Sequence, residues 1–326
     1  MQVYPVFLPL QGCPFRCIYC DQYLITNEDH FDLDKHLEEI ANFCKKHHAE
    51  EKEIAFFGGT FTAFDLTWQQ LQFDKLAHFL NDNTGIRYST RPDCLTKEDL
   101  ELANKCGVTT IELGIQDFSD EVLTQSKRGY KQAQAIAACK LVQEYGIKLG
   151  IQIMPGLPGF SEQSLAITQN LILELKPEYV RIYPTVVLKG TKLADLYATG
   201  EYQPLELEEA IDISAELYEQ FTVQKIQVIK IGVQIDTADP TAIIAGPYHK
   251  AFGELVATKV LIKSLLPQIP ATSQEVEIIT SKYDASKFTG HAHYGLKYLQ
   301  KLLGNKIIKL SIDTNLDKHI IRLKTK

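Results

Sequence analysis

Gly12-Cys13-Pro14-Phe15-Arg16-Cys17-Ile18-Tyr19-Cys20 is the stretch from which the rest of the chain is read. It follows a strand-like run, Val3-Tyr-Pro-Val-Phe-Leu8, and sets three cysteines at CxxxCxxC spacing on one short loop. Three thiolates so spaced reach three corners of an iron–sulfur cube and leave the fourth iron without a protein ligand. Structural clusters and structural zinc sites take four protein ligands, so an open position is a place for something else to bind. The competing reading is a zinc ion on the same cysteines, with His30 or a distant cysteine as fourth ligand. Cys44, Cys94, Cys106 and Cys139 form no second CxxC pair, which a zinc ribbon would show. Disulfides are disfavoured, because the count of seven is odd and nothing marks the chain as secreted.

Outward from that loop, short β-branched or aromatic runs alternate with helix-period segments. Strands are expected at Val3–Leu8, Glu53–Phe57, Ile86–Thr90, Val108–Leu113, Ile147–Ile153 and Tyr179–Tyr183, each followed by a helical crossover. Six such units favour a parallel α/β sheet, either a partial barrel or a doubly wound sheet, and fall short of a closed eight-fold barrel. In both folds ligands gather at the carboxyl ends of strands. The cysteines, Gly58-Gly59-Thr60, Arg91-Pro92-Asp93, Gln116 and Pro155-Gly-Leu-Pro-Gly159 all fall there. From about Leu205 the pattern changes. A helix (Leu207 to Phe221) and a strand (Lys225 to Val233) lead to a boundary at Asp236-Thr-Ala-Asp-Pro240. Residues 1–235 are expected to form a core domain with an extension, and 236–326 a small basic α+β domain.

A chain of 326 residues can bury a large core, and 45% apolar with 23% charged residues is ordinary for a soluble globular protein. The sequence has no run long enough to cross a bilayer and no secretory pattern, which points to the cytoplasm. The net charge of −7 is unevenly spread: residues 286–326 hold nine Lys/Arg against Asp313 and Asp317. A basic end on an acidic body is the footprint of a polyanion contact, or simply a solvated lysine-rich surface. In that tail Phe288-Thr-Gly-His-Ala-His-Tyr-Gly295 faintly resembles the Gly-x-x-Gly clamp of KH RNA-binding modules, with the second glycine displaced.

The cysteine loop with its aromatic Tyr19 resembles that of the radical S-adenosylmethionine (SAM) enzymes. Phe56-Phe-Gly-Gly-Thr-Phe-Thr62, Thr90-Arg-Pro-Asp93, Ile111-Glu-Leu-Gly-Ile-Gln116, Met154-Pro-Gly-Leu-Pro-Gly159 and Arg181-Ile-Tyr-Pro-Thr185 through Lys189-Gly-Thr191 extend the resemblance. In this order they look like the radical domain of the Elongator catalytic subunit and its bacterial relatives, over roughly residues 1 to 205. The resemblance implies a partial (β/α)6 barrel of the radical SAM type with a small C-terminal α+β module. It also implies a [4Fe–4S] cluster on Cys13, Cys17 and Cys20, and reductive cleavage of SAM to a 5′-deoxyadenosyl radical. Gly58, Gly59 and Thr60 would contact the methionine amino group, through backbone where the family commonly has glutamate. Arg91 suits a grip on a carboxylate, its alternative being a structural pair with Asp93 or Glu112. Glu112 and Gln116 are expected to face ribose or substrate, Pro155 and Gly156 to shape a loop against adenine, and Tyr19 to flank the cofactor. Tyr183, Tyr130 and Cys106 are candidate hydrogen-atom donors.

Several departures bound the reading. The Elongator subunit spaces its first two cysteines more widely and continues into an acetyltransferase domain, for which the residues after 205 are too few and wrongly patterned. Porphyrinogen decarboxylases follow the third cysteine with Gly-Cys, where this chain has Asp21-Gln22. The expected function is a radical SAM enzyme modifying tRNA or another nucleotide-containing substrate, fed by a low-potential electron donor of flavodoxin or ferredoxin type. The RNA contact would be made by the basic C-terminal region. The competing readings are a radical enzyme on a small molecule such as a porphyrin precursor, and a non-catalytic iron–sulfur or zinc protein.

Overall fold

The computed structural model describes residues 1–326 except Leu10, 27–30, 236–238, Pro240 and His319. His30 and most of the expected boundary at 236–240 therefore lie outside the described residues. The chain divides into two compact units, one of residues 1–206 and 221–248, the other of residues 207–220 and 249–326.

The first unit is built on β1 (Gln2–Phe7), β2 (Lys52–Phe57), β3 (Thr84–Thr90), β4 (Val108–Gln116), β5 (Lys148–Ile153) and β6 (Tyr179–Ile182). Each pairs in parallel with the next. A short β7 (Val187–Leu188) leaves this sheet, and β8 (Gln227–Ile231) returns to pair in parallel with β6, giving seven strands in order β1-β2-β3-β4-β5-β6-β8. Among the described residues nothing pairs β1 with β8, so the sheet is an open, partial barrel. The seventh strand was expected as a strand, Lys225 to Val233, but not as part of this sheet, because nothing local shows that it returns to β6. β7 pairs in antiparallel fashion with β9 (Ile243–Ala245), a two-strand ribbon too short to show in the sequence.

One face of the sheet is apolar: Ile54 and Phe56, Ile86 and Tyr88, Ile111 and Leu113, Leu149 and Ile151, Val180 and Ile182 are all buried. The helices that cover it are α2 (Leu37–Lys46), α3 (Leu66–Leu76), α4 (Lys97–Lys105), α6 (Gln132–Glu144) and α7 (Glu162–Leu175), after the short α1 (Gln22–Thr26) and with α5 (Asp120–Gln125) between. Their starts are fixed by side-chain caps, Asp65 for α3 and a reciprocal Thr96–Asp99 box for α4. The opposite face, read from the same strands one residue out of phase, carries Glu53, Arg87, Ser89, Thr110, Glu112, Gln152 and Arg181. A parallel sheet covered by helices on both sides would be apolar throughout. A polar second face is the lining of a partial barrel.

The second unit contains the first fourteen residues of α9 (Leu207–Val223), which follows α8 (Lys192–Ala198), together with α10 (Phe252–Leu265), α11 (Ser286–Leu303) and a three-stranded sheet. In that sheet β10 (Glu275–Thr280) is central, parallel to β11 (Ile307–Ile312) and antiparallel to β12 (Ile321–Thr325). Ile262, Leu265, Val276, Ile278, Phe288 and Leu299 form its core. α11 begins eight residues before the expected Tyr294, but Gly290 to His293 leave helical geometry, His291, Ala292 and His293 having φ of 48°, 58° and 63°. The helix recognised in the sequence is the segment after this break.

Candidate active site

The cysteine loop leaves β1 and is folded against the turn that leaves β2. Thr60 donates its backbone N–H to the Gln11 carbonyl at 3.0 Å, and Cys13 Sγ lies 3.3 Å from Thr60 Oγ1. A Cβ on Gly59 would stand 2.2 Å from the Gln11 carbonyl oxygen, and one on Gly12 would stand 2.4 Å from that of Thr60. Only glycine lets the two backbones approach so closely. The sequence reading had Gly59 opening room for a ligand; what comes close here is the cysteine loop itself.

Two arginines face the middle cysteine. Arg128 is buried, and its Nη1 donates to Cys17 Sγ at 2.9 Å and to the Tyr19 hydroxyl at 3.1 Å. Its Nη2 donates to the Gly114 carbonyl and its Nε to the Tyr130 hydroxyl. Arg91 Nη1 lies 3.6 Å from Cys17 Sγ, while its Nε and Nη2 grip Asp93 at 3.0 and 2.8 Å. Arg91 thus makes the structural pair and faces the cysteine loop as well. Burial pushes the Cys17 thiol up, but the two guanidinium groups outweigh it and hold the thiol below the ordinary range. Cys13 and Cys20, where burial dominates, are raised, Cys20 to about 12. Among the described residues no three His, Cys, Asp or Glu side chains converge as they would on one metal ion. Three cysteines on one loop, the middle one faced by two cations, fit an anionic thiolate cluster.

The remaining expected residues fall around this loop. Gln116 closes β4 with φ of 72° at a register shift in the β4–β5 pairing, a conformation most side chains avoid. Its carbonyl accepts from Met154 N at 2.7 Å, and Thr185 N donates to the Pro155 carbonyl at 2.8 Å. The Gly156 carbonyl accepts from the Tyr202 hydroxyl at 2.6 Å, bracing the Pro-Gly loop from behind. Tyr19 packs with Ile18, Val122, Leu157 and Tyr202.

Glu112 is not free for a ribose. Its Oε2 lies 2.6 Å from Arg181 Nε, an ion pair not aligned as a hydrogen bond, and accepts from the Tyr179 hydroxyl at 3.1 Å; its Oε1 accepts from Ser89 at 3.2 Å. Of the candidate hydrogen-atom donors, Tyr130 donates to the Ile115 carbonyl at 2.8 Å, and Cys106 lies where β4 begins, at the other end of the strand from Gln116. Tyr183 accepts from Arg181 Nη1 at 3.0 Å on the polar face. Arg128 was missed in the sequence because Lys127-Arg128-Gly129 reads as a solvated turn; no local pattern marks an arginine that will be buried.

The sequence pattern of the radical SAM superfamily matches residues 7–172, and that of the radical SAM C-terminal domain matches residues 177–261. The chain belongs to the radical SAM superfamily. Enzymes of this superfamily use a [4Fe–4S] cluster and SAM as cofactors. A tRNA uridine(34) acetyltransferase of Methanocaldococcus jannaschii is 29% identical over 256 residues, 69% of this chain and 46% of the relative. An uncharacterized protein of the same organism is 30% identical over 221 residues, 67% of this chain and 66% of its own length. The structure of the archaeal Elp3 of Methanocaldococcus infernus, with an N-terminal deletion, superposes with a TM-score of 0.62 at 24% identity, covering 81% of this chain and 63% of that one. This radical SAM protein spans about half the length of the acetyltransferase relatives it matches. Among its described residues no helix is long and apolar enough to cross a membrane.

Proposed function

We propose that Cys13, Cys17 and Cys20 ligate the [4Fe–4S] cluster and that the enzyme cleaves SAM reductively to modify a base in tRNA. The observation that carries the reading is the loop itself, with three cysteines at the strand ends, docked by backbone on Gly59-Thr60 and faced by two arginines. When bound, the cluster supplies one low-potential electron and an open iron for SAM. Around it, Arg91 and Arg128 would offset the negative charge of thiolate ligands, and Thr60 would donate to the first sulfur. The Pro155-Gly156 loop, braced by Tyr202, would wall off the adenosine side and exclude water.

The tRNA assignment draws on relatives whose names record tRNA uridine(34) acetylation, and the acetyl-transfer half of that activity is not carried over. Charge alone gives it less support than the sequence suggested, since the second unit has thirteen Lys/Arg against eleven Asp/Glu. A soluble, low-potential one-electron donor and a cytoplasmic setting go with the chemistry. The test is anaerobic reconstitution with iron and sulfide, then dithionite and SAM, with and without bulk tRNA. 5′-Deoxyadenosine and methionine should form and should vanish in Cys17→Ala; a fully loaded cluster that never cleaves SAM under either condition overturns the reading.

A further inference from the structure

The polar face of the parallel sheet is electrically balanced, and the balance limits what it can hold. At its base Arg87 Nε donates to Glu53 Oε2 at 2.7 Å, and both side chains are buried. One layer up, Glu112 is paired with Arg181. At the rim Arg91 is paired with Asp93, and Arg128 is turned to Cys17 and the Gly114 carbonyl. Lys230, whose pairing register sets it beside Arg181, donates to the Gln234 side-chain carbonyl at 3.3 Å and has no carboxylate partner among the described residues.

Apart from Lys230, what the face presents is aromatic, neutral or charge-paired. Phe7 and Phe57 are part-exposed, their ring centroids 6.4 Å apart. Arg181 lies over the Phe57 ring at 4.9 Å and extends that surface to Tyr183. Neutral polar groups flank it: the Ser89 hydroxyl and the amides of Gln116 and Gln152, the latter two 3.5 Å apart. Aromatic faces and a guanidinium plane are stacking surfaces for heteroaromatic rings, while amides read ring edges. Further carboxylates beside Glu112 would meet its charge in a poorly hydrated place with no free arginine to offset them.

We infer that this slot binds an uncharged heteroaromatic ring carrying at most one anionic group, a nucleoside or nucleotide, and rejects polycarboxylates such as porphyrin precursors. The inference rests on the radical-enzyme reading above and specifies the substrate class of the same site. Arg181 acts as a stacking ledge because Glu112 cancels its charge. Removing that cancellation should erase most of the preference.

The test uses the full reconstituted chain and two flat probes of similar size, uridine and benzene-1,3,5-tricarboxylate, read by saturation-transfer NMR and equilibrium dialysis. The wild-type protein should bind uridine and leave the tricarboxylate about tenfold weaker or undetected. Glu112→Gln should strengthen tricarboxylate binding by about tenfold, the worth of one partly screened charge. Phe57→Ala should weaken uridine by about tenfold, the low end of a stacked base. Tricarboxylate binding to the wild type as tightly as uridine, or a ratio unmoved by Glu112→Gln, overturns the inference. If Glu112→Gln does not fold, Arg181→Met replaces it and must weaken uridine by removing the stacking ledge; unchanged uridine binding is again fatal. SAM cleavage by the same wild-type preparation is scored separately, so a failed enzyme reading and a failed slot give different results.

Discussion

The polar face of the main sheet contains two ion pairs of the same composition whose surroundings differ. Glu53–Arg87 lies toward the amino ends of the strands, with Arg87 over the Tyr179 ring at 4.8 Å; Glu112–Arg181 lies toward the carboxyl ends, with Arg181 over Phe57 at 4.9 Å. In the first pair the arginine and glutamate side chains are 1% and 3% exposed, and Thr109 and Thr110 hydroxyls complete the carboxylate's partners. In the second pair the arginine is 16% exposed and shares its glutamate with a tyrosine and a serine. The same chemistry therefore does different work at the two ends. The sealed pair closes the base of the partial barrel, and the accessible one forms a surface.

The sharpest way to break that contrast is to remove the arginine of each pair in turn. Arg87→Met should cost roughly 3–5 kcal/mol in urea unfolding, because Glu53 is left as a buried charge without its partner. Adding Glu53→Gln should recover much of the loss. Gly59→Ala tests the rim by backbone alone: with a Cβ 2.2 Å from the Gln11 carbonyl oxygen, it should cost about 1–3 kcal/mol. It should also lower iron bound per chain after reconstitution. Arg181→Ala should cost only about 1–2 kcal/mol, since Arg181, unlike the sealed Arg87, is 16% exposed and water can take its place beside Glu112. A loss as large as that of Arg87→Met would erase the distinction between base and rim.

The smallest effect is a slope. Burial raises the Asp117 carboxyl, next to Gln116, to about 6. Its unfolded value lies near 3.8, so as pH falls through 6 the folded protein takes up a proton before the unfolded chain does. This site therefore adds stability as pH falls from 7 toward 4. Asp117→Asn should flatten that part of the stability profile measured by urea unfolding; an unchanged slope would show that the carboxyl titrates normally.

How much of this was legible in the sequence depends on how local each cause is. Cys13, Cys17, Cys20, Gly58-Gly59 and the first six strands are written in short spacings and periodicities, and the structure has them where the pattern implied. The seventh strand was read as a strand but not as part of the sheet, because nothing local to Gln227–Ile231 says that it returns to β6. Glu112 was read as a ligand because a carboxylate at a strand end looks available; Arg181, sixty-nine residues on, takes it. Arg128 went unread for the same reason, since its partners Cys17 and Tyr19 are more than a hundred positions away. Pairings across the sheet are made by topology, which single-chain patterns record only indirectly.

The second unit is assembled from two separate stretches, and this bears on how the protein can be cut. Residues 249–326 carry thirteen Lys/Arg and six Asp/Glu, while Leu207–Gln220 carries five acidic residues and no basic ones. Lys259, nearly fully buried, is held at 2.6 Å by Asp212 and at 3.3 Å by Glu208 from that stretch. A fragment starting at His249 would lose both partners of its buried ammonium and most of its charge balance. It would adhere to any polyanion offered, so a pull-down with such a fragment would not report the nucleic-acid affinity of the intact chain.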